Sequence, residues 1–286
     1  MSHDTNSHER LADLSRIAFS TRLWREVARN GSSKELDDAL RRAELELGLH
    51  PHSRAELLRS IHGWMLRSRR PDYTYRQALI SRFARRSHHG KVRFLTELHL
   101  RSSIADLVRI GGDLETFEIK SDRDNTSRLP NQLWNAYLVS PYASLVTTPA
   151  IASQFLARTP STPVGVYTIG PRGGLRLLRR PTARWQRLES TEILNLLRAD
   201  ERAYALRDIA PTLLQEPNTL QYRIAVEAAA EVKPKELYLR AVQALRRRPP
   251  IRLESALYYI HPILVSINPN SVQLARMHVW LKEEAG

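Results

Sequence analysis

Asp106 is followed, across a Gly-Gly pair, by the triplet Glu118-Ile119-Lys120, in a stretch (residues 104–132) that reads IADLVRIGGDLETFEIKSDRDNTSRLPNQ. Two carboxylates that share a small space repel each other unless a positive group sits between them. A hard divalent cation with oxygen ligands meets that need, and Mg²⁺ or Mn²⁺ is the natural choice. With a lysine beside them, two such carboxylates suit metal-assisted phosphodiester hydrolysis. The backbone carbonyl of Ile119 is a further candidate ligand, and Lys120 is a candidate to orient or help deprotonate the attacking water. Glu97, one candidate strand upstream, is a further metal ligand or water-holder.

The elements around these residues must bring them together. Residues 104–110 and 114–120 are predicted strands, and Gly111-Gly112-Asp113 between them is a hairpin signal. Alternate strand residues share a face, so Glu118 and Lys120 point one way and Phe117 and Ile119 the other. Counting outward from the turn puts Asp106 opposite Glu118, within a residue or two. Exposed strands also carry Glu and Lys, so an E-x-K triplet alone says little, and Asp106 could instead pair with Arg109. Asp122 and Asp124 follow the strand and are expected as turn or helix-start residues.

The flanks are helical. Helices are expected within residues 11–47, broken at Asn30-Gly31, and over 53–66, 127–137, 191–208, 219–232, 234–247 and 272–281, with residues 1–10 a disordered tail. Further strands are expected at 143–148, 164–169 and 175–178. Three regions follow: 1–70 helical, 71–185 an α/β core, and 186–286 helical.

The chain has 286 residues, 44 Lys plus Arg against 30 Asp plus Glu, and a formal net charge of +14. That balance suits a polyanionic partner. Nine Lys or Arg and a single acid, Asp72, lie between Arg67 and Arg93, interleaved with Tyr73, Tyr75 and Phe83. Arg82, Arg85, Arg86, Lys91 and Arg93 are candidates for backbone contact with DNA or RNA, as are Arg128, Arg179 and Arg180. A solvated helix face is the plain alternative for the same stretch. The absence of cysteine excludes disulfides and thiolate chemistry. No 18-residue apolar run and no leader-like N-terminus are present, so a cytoplasmic protein without a membrane partner is expected. His88-His89 lacks acidic partners at ligand spacing, and no nucleophile elbow or phosphate-binding GK[ST] loop occurs.

The segment resembles the PD-(D/E)XK (restriction-endonuclease-like) nuclease superfamily. Within it, the chain is similar to a group of bacterial proteins marked by an EIKSD…RLPNQ-type segment. The resemblance rests on Thr96-Glu97-Leu98, Ala105-Asp106-Leu107-Val108, Phe117 to Asp122, Ser127 to Gln132 and Tyr137, and extends over residues 73–208. It implies a mixed central sheet flanked by helices and a metal-dependent nuclease acting in repair, defence or mobile-element biology. Asp106 and Glu118 would be metal ligands, Lys120 the catalytic lysine and Glu97 the extra acid of resolvase-like members. Gln132 and Tyr137 would buttress the site or touch the DNA backbone. Ala105 stands where the superfamily's name has proline. The rival expectation is a catalytically silent nucleic-acid-binding or protein-interaction module on the same fold.

Overall fold

The computed structural model describes residues 2–68, 70–86, 91–170 and 173–284; the side chains of residues 2–6, 86, 91, 92 and 252 are outside it. The chain divides into two units, residues 1–91 with 171–174 and 251–286, and residues 92–170 with 175–250.

The first unit is helical. It opens with α1 (Ser2–Ala18), α2 (Thr21–Asn30), α3 (Lys34–Leu47), α4 (Arg54–Arg67) and α5 (Asp72–Arg86). Gly31 and Gly48 end α2 and α3 with left-handed backbone, at φ 82° and 61°. Residues 2–10, expected as a disordered tail, instead form the first turns of α1. Ser7 Oγ donates to Glu46 on α3 at 2.7 Å, and Arg10 pairs with the same carboxylate at 3.3 Å.

The second unit carries the sheet. Its strands are β1 (Lys91–Leu100), β2 (Ser103–Ile110), β3 (Leu114–Lys120), β4 (Tyr142–Thr147), β5 (Gly165–Ile169) and β6 (Leu175–Arg179). These six lie in the order β6-β5-β4-β3-β2-β1. The β1–β2, β2–β3 and β5–β6 pairs are antiparallel, and the β3–β4 and β4–β5 pairs are parallel. Parallel neighbours need long crossovers. The first contains α6 (Leu129–Ala136), whose first turn holds Pro130, where a missing N–H costs nothing. The second contains α7 (Pro149–Arg158), started by the Thr148 hydroxyl and absent from the sequence reading.

Helices α8 (Ser190–Asn195), α9 (Ala199–Ala205), α10 (Asn218–Ala230) and α11 (Pro234–Arg246) follow. The single helix expected over 191–208 is broken because Arg198 is extended and its N–H is taken by the Glu201 carboxylate at 2.8 Å. Leu237, Ala241 and Leu245 of α11 join Val108, Ile110 and Leu114 in one buried core. The helices after residue 186 therefore complete the sheet's own hydrophobic cover. Leu129, Leu133 and Ala136 of α6 bury Ala143 and Leu145 of β4.

The chain then returns to the first unit through α12 (His261–Ile267) and α13 (Ser271–Lys282). Trp280 of α13 meets Trp24 of α2 edge-on, with ring centroids 5.4 Å apart. Arg54 joins Asp37 at 2.9 Å and Glu283 at 2.6 Å. Among the described residues, no helix is long and apolar enough to cross a membrane.

Candidate functional site

The β2–β3 register fixes the central residues. The partners are Ile110↔Leu114, Arg109↔Glu115, Val108↔Thr116 and Leu107↔Phe117. One more step sets Asp106 across from Glu118, as expected from the sequence. Asp106 Oδ2 accepts the backbone N–H of Ile119 at 2.7 Å. Lys120 Nζ lies 2.8 Å from Glu118 Oε1, with side chains only 12% and 6% exposed. Arg109 bonds to the buried Glu115 on the other face of the sheet at 3.1 Å.

The paired ladder ends at Leu107↔Phe117, and the Ile119 amide is turned towards β2 by its bond to Asp106. In an antiparallel ladder the N–H and C=O of one residue face the same neighbour. The Ile119 carbonyl therefore points to the same side as the Asp106 carboxylate. The resulting donor set is two carboxylates and a carbonyl, all oxygen, which fits Mg²⁺ or Mn²⁺ in chemistry. Glu97 lies on β1 between the pairs Thr96↔Leu107 and Leu98↔Ala105, so the register puts it across from Asp106. It is exposed, with backbone in the left-handed region at φ 54°. For a non-glycine residue in a strand that conformation is uncommon and re-aims the side chain. Among the described residues, no group of three or more acids or histidines gathers closely enough to hold a metal ion. Asp106, Glu118 and Lys120 are thus brought together, and Glu97 shares their row.

The other candidates lie on separate elements. Arg128 is exposed in the 3-10 turn before α6. Gln132 is half-buried, and its Oε1 has no hydrogen-bond partner among the described residues. Arg82 and Arg85 lie on α5 in the first unit, while the side chains of Arg86 and Lys91 are outside the described ones. His88-His89 also falls outside the described residues. Arg93 donates to the Arg248 carbonyl at 2.8 Å. Arg179 donates to the carbonyls of Val164 and Thr159 at 2.8 and 2.6 Å, so it braces the sheet edge, while Arg180 is exposed. Asp124 closes its own turn by accepting from the Ser121 amide and hydroxyl, both at 2.6 Å.

Tyr137 lies elsewhere than a buttress for the acids. It is buried at the end of α6, and its hydroxyl has no hydrogen-bond partner among the described residues. Burial pushes its pKa up to about 12, against the pull of the nearby Arg184 and Arg179. The ring lines a cavity of about 250 Å³. Pro130, Trp134, Phe155, Arg184 and Arg187 are among the other walls. The Arg187 guanidinium sits 3.1 Å over the Trp134 ring. None of these four, Trp134, Phe155, Arg184 or Arg187, stood out in the sequence. The one signal was a tryptophan on α6 off the face that carries Leu129, Leu133 and Ala136.

The family model described as bacteriophage P4 protein cII matches residues 66–257, about two-thirds of the chain. The chain belongs to the bacteriophage P4 cII family. No curated protein and no solved structure matches it. The cII segment contains Asp106, Glu118 and Lys120, the Tyr137 cavity and strands β1 to β6. In this cII-family chain, α1, α2, α3, α12 and α13 lie outside the matched segment.

Proposed function

We propose that the protein is a divalent-metal-dependent nuclease that hydrolyses DNA phosphodiester bonds on a PD-(D/E)XK-like core. The supporting observation is the pairing of Asp106 with the Glu118-Ile119-Lys120 strand end, where a 2.8 Å Lys120–Glu118 contact sits in a largely buried setting. Asp106, Glu118 and the Ile119 carbonyl would hold Mg²⁺ or Mn²⁺. When bound, the cation would polarise the scissile phosphate and favour ionised water. Lys120, with its ammonium held by Glu118, orients the attacking water and offsets negative charge near the phosphorus. Attack forms one P–O bond and breaks another, and the leaving oxygen takes up a proton. The formal charge of +14 favours capture of the polyanionic substrate.

The test is cleavage of supercoiled, linear, single-stranded and branched DNA with Mn²⁺ or Mg²⁺ and an EDTA control. Asp106→Ala and Lys120→Ala should each lower the rate by about 100-fold or more while retaining most of the binding. Equal cleavage by the parent and both variants refutes the assignment. A second reading is a nucleic-acid-binding module without turnover. It is favoured by the Lys120–Glu118 ion pair, which engages one of the two carboxylates. DNA or RNA binding by the parent with no cleavage of any form would support that reading.

A further inference from the structure

The Tyr137 cavity has a chemistry of its own. Its volume of about 250 Å³ suits one ring system. Pockets for drug-sized molecules are roughly 300–1,000 Å³. Its walls are mainly apolar: Pro130, Leu133, Phe155 and Val164 line it. Two features depart from an ordinary packing defect. Trp134 is 51% exposed even though the Arg187 guanidinium covers its ring. The Tyr137 hydroxyl and Arg187 Nε are both buried without a hydrogen-bond partner among the described residues. Buried polar atoms normally have partners, so two unpartnered donors at one cavity suggest a missing acceptor. The residues lining it include two arginines and no acid.

We propose that this cavity receives one unpaired nucleobase of a single-stranded nucleic acid, stacked on Trp134, with its edge accepting from Tyr137 and its phosphate on Arg184 and Arg187. A flat ring matches the apolar walls and the indole. An edge acceptor satisfies the tyrosine, which burial keeps protonated and therefore able to donate. An anion next to the ring matches the paired arginines. An aliphatic peptide side chain would leave both the hydroxyl and the cations unanswered. A duplex keeps its bases stacked inside and cannot present one without unpairing it. The inference rests on the nucleic-acid part of the proposed function and uses none of its metal chemistry.

The test is binding of a short labelled single-stranded oligodeoxynucleotide and of its duplex to the full chain, by anisotropy in EDTA. The parent should prefer the single strand, and deoxyadenosine monophosphate should compete better than deoxyribose 5-phosphate. Stacking of one base on an aromatic side chain corresponds to an affinity change of roughly 10- to 100-fold. Trp134→Ala should weaken single-strand binding on that order, while duplex binding changes less than about two-fold and Trp134→Phe restores most of the loss. Tyr137→Phe, which keeps the ring, should weaken single-strand binding several-fold. Trp134 is half-exposed, so its variants should keep the parent's melting temperature. Three results overturn the proposal: no single-strand binding by the parent, equal loss on single strand and duplex, or unchanged binding by both Trp134→Ala and Tyr137→Phe. Cleavage is scored separately with Mn²⁺, so a silent enzyme with a working pocket and an active enzyme without one remain distinguishable.

Discussion

Asp106 and Glu118 are neighbours because the turn between them is short. Ile110 pairs with Leu114, and every pair behind it is set by counting, so this register was legible in the sequence. The Lys120–Glu118 contact was legible too, since residues two apart in a strand share a face. The Tyr137 cavity was not, because its walls come from α6, α7 and the segment around Arg184 and Arg187, which are far apart in the chain. A second residue hidden from the sequence is His62 on α4. It is fully buried between the rings of Phe19 and Tyr258, and neither ring nitrogen has a hydrogen-bond partner among the described residues. Burial lowers its pKa from 6.5 to about 4. The unfolded chain therefore binds the extra proton first as pH falls, and the folded state loses stability between pH 6.5 and 4. The loss at the low end is about 3 kcal/mol. His62→Leu removes this titration. Urea unfolding at pH 7 and pH 4 should show the parent losing about 3 kcal/mol more than the variant, and parallel losses would refute the effect.

At the scale of elements, the strands around the acids were the easiest to predict, and β3 was placed to the residue. Period-two patterning and a Gly-Gly turn leave little freedom there. The breaks were harder. The α8–α9 interruption depends on Glu201, which also takes hydrogen bonds from Arg248, 47 residues further along the chain. Helix α11 carries another such dependence. Tyr238 accepts the Leu114 N–H at 2.8 Å and reaches Asp113 at 3.3 Å, so a helix late in the chain pins the hairpin that sets the Asp106 register. Arg246, at the end of the same helix, donates to the Gly111 carbonyl at 2.7 Å. Leu114 is fully buried, so Tyr238→Phe strands a backbone donor. The cost should be about 1–3 kcal/mol by chemical denaturation. Faster hydrogen exchange of the Leu114 amide would locate the loss at the hairpin. No change in stability would mean that the hairpin holds itself.

At the scale of the whole molecule, the net charge of +14 overstates how much positive surface is offered to a polyanion. Arg246, the last residue of α11, holds Gly111, and Arg248, just beyond that helix, holds Glu201. Arg93 and Arg179 are likewise bonded to carbonyls of their own chain. Charge was legible in the sequence, but its internal use was not, because each of these bonds joins distant residues. Salt dependence measures the difference. If all fourteen excess charges met phosphates of a single strand, the slope of log affinity against log salt would be about −10. With many arginines engaged internally, the slope should be about half that or shallower. The two kinds of contact then separate. Arg184→Ala should flatten the slope by roughly 0.7, the share of one phosphate contact on a single strand. Trp134→Ala should lower affinity at every salt concentration and leave the slope unchanged, because stacking releases no counterions. A parent slope near −10, with both variants shifting it alike, would instead describe a chain that holds nucleic acid by charge alone and reads no base.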